Sequence, residues 1–172
     1  MGAQTVPTIR HSTTMSIRHP IHDKLKAISL FSEFTDAELE EFLSLADPTM
    51  YLAGETIVKQ GDSGNAMFYV ADGKCRVVRR RDGDLVELDR LNEGDIFGEV
   101  ALFDHLPRSA DVQAVTDCIL LKINEGVLRA LAGFFPAAAF KLLLGIAREM
   151  SNRLRRTSSR YVDFVLAPNE GK

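Results

Sequence analysis

The sequence predicts a mainly β domain, an antiparallel sandwich or barrel flanked by helices, and three observations carry that prediction. Between Thr49 and Asn124, short runs rich in β-branched and aromatic residues replace the helical pattern found on either side. Turn chemistry separates these runs at roughly ten-residue spacing, the rhythm of tight hairpins. The chain has 172 residues with 45% hydrophobic content, enough for one ordinary domain with its own core and too few for two.

Residues Met1 to Pro20 are rich in Thr, Ser, His, Arg and Gly and lack apolar periodicity, so 1–20 is expected to be a mobile tail. The domain is expected over 21–160, with a second tail over 161–172. From Ile21 the pattern is helical, with Ile21, Leu25 and Ile28 on one face. Thr35-Asp36-Ala37-Glu38 is a capping box that opens a second helix carrying Leu39, Phe42, Leu43 and Leu45.

Five runs then read as strands: Thr56 to Lys59, Met67 to Val70, Cys75 to Val78, Leu85 to Leu88 and Ile119 to Ile123. They are punctuated by Gly54, Gly61-Asp62, Asp72-Gly73, Asp82-Gly83 and Gly94-Asp95. Arg79-Arg80-Arg81 precedes one hairpin tip and reads as a solvated strand end. Cys75 and Cys118 each sit in a strand-like run, far apart in sequence, which predicts buried reduced thiols and a cytoplasmic chain.

After the strands, Asn124 caps a short helix with Val127, Leu128 and Leu131, and Pro136 begins a longer one where its missing N–H costs nothing. In that last helix Phe140, Leu143, Ala147, Met150, Leu154, Thr157 and Tyr161 step by three and four. Such a stripe serves either to pack on the chain's own barrel or to meet a second copy in a homodimer.

Composition excludes several function classes. A net charge of -3 provides no broad basic field for nucleic acid or anionic lipid. The most apolar stretch, Ala130 to Leu144, is broken by Pro136 and Lys141, so no membrane insertion is expected. The N-terminus lacks a signal pattern, and Val6 stands where myristoylation wants Ser or Thr, so neither secretion nor a lipid anchor is expected. Of His11, His19, His22 and His105, three precede the barrel, which leaves no cluster of metal ligands. No serine, histidine and acid are spaced for acyl transfer either, and an enzyme is not expected.

Phe97-Gly98-Glu99-Val100-Ala101-Leu102-Phe103, followed by Pro107-Arg108-Ser109-Ala110-Asp111-Val112, interrupts the strand rhythm with a helix-like turn. Gly98 permits close approach of a ligand, and the amides that open a short helix near Glu99 to Ala101 offer free donors to an anion. Arg108 adds a fork of donors for two phosphate oxygens. Neither a P-loop nor a carboxylate cluster for magnesium is present, which disfavours a nucleoside triphosphate. A cyclic monophosphate carries a single negative charge, and an ionised Glu99, a pure acceptor, suits its one free ribose hydroxyl.

These residues resemble the phosphate-binding cassette of cyclic-nucleotide-binding domains, the family found in cAMP-dependent kinase regulatory subunits, cyclic-nucleotide-gated channels and catabolite-activator-type regulators. The likeness runs upstream through Gly54-Glu55, Gln60-Gly61-Asp62, Phe68-Tyr69-Val70 and Gly73, and covers roughly Leu30 to Thr157. It implies an eight-stranded antiparallel jelly-roll β-barrel with N-terminal helices and a C-terminal hinge and lid helix pair. It further implies that Glu99 holds the ribose 2′-OH and Arg108 the phosphate, assisted by amides near Gly98, Val100 and Ala110. In the family, Ala at the place of Ser109 accompanies cAMP, Thr accompanies cGMP, and Ser occurs in cAMP-binding bacterial regulators, so cAMP is favoured over cGMP.

The base is expected between barrel and last helix, where Arg153 is a candidate to stack on it, Thr157 and Ser158 to bond its edge, and Tyr161 to stack from farther along. Binding would draw the last helix over the base about a joint at Ala132-Gly133-Phe134-Phe135. About 15 residues follow Thr157, fewer than a helix-turn-helix domain requires, so the signal is expected to pass to an effector protein and not directly to DNA. The alternative is a module of the same fold with a degenerate pocket, serving to dimerise or dock.

Overall fold

The computed structural model describes residues 21–28, 30–46, 48–81 and 83–166. The tail expected over 1–20 lies outside them. Residues 21–26 form helix α1 and Asp36–Leu45 form α2. Thr35 accepts from the Glu38 N–H at 3.3 Å while Glu38 accepts from the Thr35 N–H at 2.7 Å, the reciprocal cap that the sequence announces.

Eight strands follow among the described residues: β1 Pro48–Tyr51, β2 Thr56–Val58, β3 Ala66–Asp72, β4 Cys75–Arg81, β5 Asp84–Leu91, β6 Ile96–Phe97, β7 Asp111–Ala114 and β8 Cys118–Asn124. They build two antiparallel four-stranded sheets, in the orders β1-β8-β3-β6 and β2-β7-β4-β5, and the pair forms a jelly roll. The periodic runs gave no sign of β1, β6 or β7. Strand β1 opens on a proline and pairs only with β8, while β6 has two residues, too few for any period to register. Helix α3, Glu99–Asp104, is inserted between β6 and β7.

Burial separates into two cores, and β3 belongs to both. Its Phe68 and Val70 point between the sheets, with Cys75, Leu91, Phe97, Val112, Ala114, Cys118 and Leu120. Its Met67, Tyr69 and Ala71 point the other way, into a layer shared with Leu25, Phe31, Leu39, Phe42, Leu131, Leu142 and Ile146. A strand covered on both faces needs apolar residues at every position, hence the unbroken run Ala66 to Ala71. Strand β5 is the opposite case, an edge strand with Leu85, Val86 and Leu88 all exposed.

Helix α4, Glu125–Phe134, is capped by Asn124, whose Oδ1 accepts from the Val127 N–H at 3.0 Å. Helix α5 runs from Pro136–Leu166, past the boundary expected at 160. Its inner stripe is Ala138, Ala139, Leu142 and Ile146, where small side chains allow close approach to α4. Of the heptad-like stripe, Phe140, Leu143, Ala147, Leu154, Thr157 and Tyr161 face outward, with Leu154 and Tyr161 each 68% exposed, while Met150 is partly buried against the core. Of that stripe only Met150 packs on the chain's own core, and Ala138, Ala139, Leu142 and Ile146 occupy the interface instead. Lys141 bonds the buried Glu38 at 2.8 and 3.1 Å and ties the first half of α5 to α2. No helix of the described residues is long and apolar enough to cross a membrane.

Candidate functional site

Gly98 leaves β6 at φ +75° and opens α3 without a side-chain cap. The N–H groups in the first turn of a helix have no intrahelical acceptor, so here they remain as donors. Arg108 comes from the loop before β7. Its Nη2 donates to the Ala66 carbonyl at 2.7 Å and its Nη1 to the Gly98 carbonyl at 3.2 Å. A guanidinium has five N–H donors, so these two bonds fix its plane and leave donors to spare. The Phe68 ring lies 6.0 Å from its central carbon, and Phe68 is itself stacked on Phe97 at 5.1 Å. Burial pulls the Arg108 guanidinium below its usual range, while the charge of Glu99 acts the other way.

Two glycines shape the cradle. A Cβ on Gly98 would stand 2.5 Å from Arg108 Nη1, and one on Gly64 would stand 2.5 Å from the Ala101 methyl and 2.8 Å from Arg108 Nε. Gly64 and Ala66 carried no functional sign in the sequence, and Phe68 entered only as part of the family likeness. The role of Gly64 exists only once the start of β3 is folded against Arg108.

Glu99 is 5% exposed. Its counter-charge is Arg153 of α5, with Nη1 to Oε1 at 2.9 Å, and Arg153 also donates to the Ile96 carbonyl. Arg108 is thus held by two carbonyls and Glu99 by a helix-borne guanidinium. Arg153, a base-stacking candidate in the sequence, has its guanidinium engaged here instead. One carboxylate oxygen, Oε2, lies outside the 2.9 Å bond.

These groups surround a cavity of about 160 Å³. Phe97, Gly98, Glu99, Val100, Ala101, Arg108, Ser109, Ala110 and Arg153 all line it, so nine of the residues singled out from the sequence are brought together. Val58, Val77 and Val112 add an apolar surface suited to the face of a ring; Val112 closes the cassette motif, and ordinary strand patterning hid the other two. Thr157 lines a neighbouring, more polar cavity of about 300 Å³ between β5 and α5, which shares Arg153 with the first. Tyr161 is exposed. No group of His, Cys, Asp and Glu among the described residues is arranged to hold a metal.

The sequence profile of the cyclic nucleotide-binding domain matches residues 48–133, which span β1 to α4 and every cassette residue on this wall. The chain belongs to the cyclic nucleotide-binding domain family. Among its relatives, the cAMP-dependent protein kinase regulatory subunit of Debaryomyces hansenii is 32% identical over 133 residues, 77% of this chain and 29% of that protein. The cAMP-activated global transcriptional regulator CRP of Salmonella typhimurium is 32% identical over 140 residues, 80% of this chain and 65% of that one. The crystal structure of the catabolite activator protein of Thermus thermophilus superposes with a TM-score of 0.68 at 32% identity, over 80% of this chain and 62% of that one. A cyclic nucleotide-binding domain from Methylobacillus flagellatus reaches 0.76 at 20% identity, covering 90% of this chain and 87% of that one, and so attests the fold. This chain therefore spans between 29% and 65% of the length of the first two relatives, which are a regulatory subunit and a transcriptional regulator.

Proposed function

We propose that this cyclic nucleotide-binding domain is a regulatory sensor that takes a cyclic mononucleotide, cAMP in preference to cGMP, and works in the cytoplasm without catalysing a reaction. The observation that carries the reading is the preset guanidinium of Arg108, held by two carbonyls on the wall of a cavity that Glu99 also lines. A single cationic fork with spare donors matches one anionic phosphodiester. Oε2 of Glu99 accepts the ribose 2′-OH, Val58, Val77 and Val112 meet the ring system, and Ser109 lies beside the phosphate. Two relatives described as cAMP-dependent or cAMP-activated support the choice of nucleotide.

Arg153 carries the signal in this reading, because it joins α5 to the carboxylate that the ribose must share. The first half of α5 is held by Ala138, Leu142, Ile146 and the Glu38–Lys141 pair, so movement is assigned to the half beyond Met150, where Arg153 alone is half-buried and the other described side chains are exposed. There the outward stripe offers a second copy a helix-to-helix seam, and an effector protein responds to the change. Thr157, in the adjoining cavity, serves the base edge.

Calorimetry with cAMP, cGMP and a cyclic dinucleotide, on the wild type and on Arg108→Ala, tests the assignment. The expected order puts cAMP tightest, with a loss of about 2–5 kcal/mol in the variant from an unpaired buried phosphate. Equal affinity in wild type and variant would remove Arg108 from the site, and a tighter cGMP isotherm would reverse the reading of Ser109.

A further inference from the structure

Cys75 and Cys118 belong to different sheets, the first opening β4 and the second opening β8. Both are 1% exposed and their sulfurs are 3.7 Å apart. The turn between β3 and β4 presses the two strand starts together. Gly73, at φ +92°, leaves no room for a side chain: a Cβ there would lie 2.4 Å from the Asp117 carbonyl and 2.8 Å from Cys118 Sγ. Cys118 Sγ sits 3.1 Å from the Thr116 carbonyl and 3.2 Å from the Lys74 carbonyl, its hydrogen-bond acceptors. The 43-residue separation between the two cysteines encloses both Glu99 and Arg108.

We propose that Cys75 and Cys118 are a reversible dithiol–disulfide couple that joins the two sheets across the barrel. The sulfurs must close from 3.7 Å to the bond length of about 2.05 Å, a movement within reach of side-chain rotation at facing strand starts. The co-reactant is a small-molecule disulfide. One protein thiolate attacks it, forming a mixed disulfide and expelling one small thiol. The other cysteine, losing its proton, then attacks the protein sulfur, forms the inter-sheet bond and expels the second small thiol. Two electrons pass to the reagent, and the two protein protons end on the thiols released.

Burial, followed by the neighbouring Cys118, pushes the Cys75 thiol up to about 12, so in the closed barrel the thiolate is scarce at neutral pH. Exchange in either direction therefore proceeds through opening of the Gly73 turn. The consequence for the barrel lies along the strands. Cys75 faces Ala114 on β7, and two residues further along the pair Val77 and Val112 lines the ligand cavity. A covalent tie at Cys75 thus fixes the sheet that carries part of the cavity wall.

The test equilibrates the full chain, folded, in anaerobic mixtures of reduced and oxidised glutathione, then quenches in acid and alkylates under denaturing conditions. A parallel sample is refolded in the same mixtures, which removes any kinetic barrier from burial. The expected product is a monomer lighter by two hydrogens, with no alkylated cysteine, a linked Cys75–Cys118 peptide, and a raised thermal midpoint that reductant reverses. Cys118→Ser is expected to lose the cross-link and the shift together. Formation by either route supports the couple. Two alkylatable thiols on both routes, or only mixed and intermolecular disulfides, overturn it.

Discussion

Arg108 is positioned by absences as much as by bonds. Gly98 and Gly64 leave the volume in which the guanidinium lies, and a methyl group on either would meet it at 2.5 or 2.8 Å. Gly98→Ala also forces an L side chain to φ +75°, whereas Gly64 lies outside the left-handed region and isolates the steric effect. Each substitution is expected to weaken cAMP binding about tenfold or more, equivalent to about 1.4 kcal/mol, with the fold retained by circular dichroism. Calorimetry on the two variants checks this, and unchanged affinity in Gly64→Ala would mean that the cradle does not set the Arg108 pose. The sequence made Glu99 and Arg108 legible because their chemistry is local to one motif. Gly64 and Ala66 were not, since they meet Arg108 across more than forty positions of chain, the Ala66 bond spanning 42. The partner of Glu99 was legible as a residue but not as a partner, because Arg153 stands 54 positions away.

Helix α2 shows how one carboxylate serves two scales. Glu38 completes the capping box read from Thr35, and the same side chain bonds Lys141 of α5, 103 residues later. Burial opposes ionisation of Glu38, but Lys141 and the Thr35 N–H outweigh it and hold the carboxyl below its usual range. A folded-state value depressed in this way contributes stability that is present above the unfolded value of about 4.3 and is lost as pH falls through the folded one. Lys141→Met is therefore expected to cost about 1.5–3 kcal/mol near pH 7, the worth of hydrogen bonds to a charged group, and progressively less below about pH 4. Urea midpoints across that range check it, and a gap independent of pH would assign the loss to packing. The cap was readable because it is a four-residue pattern. The direction of the α5 stripes was not, because two offset apolar stripes share that helix and only the packed structure selects Ala138, Leu142 and Ile146 for the core.

For the whole molecule, the outward stripe and the exposed β5 edge leave apolar surface that a second copy can cover. In the proposed helix-to-helix dimer, Leu154→Asp is expected to raise the dissociation constant by roughly a hundredfold or more, since each copy forfeits a leucine buried at the seam, worth about 1.5–3 kcal/mol. Sedimentation velocity reads the change, and because Leu154 touches neither core the monomer should keep its thermal midpoint. The two-sheet architecture was foreseeable from the turn rhythm and the motif resemblance. The division into two cores was not, because a strand buried on both faces has no alternation to reveal it. One consequence follows from where α3 is inserted: β6 is the outermost strand of one sheet and β7 an inner strand of the other, so the cassette is a bridge with a foot on each half of the roll. In the proposed reading, a nucleotide gripped by that bridge holds both halves at once, like a keystone set into an arch.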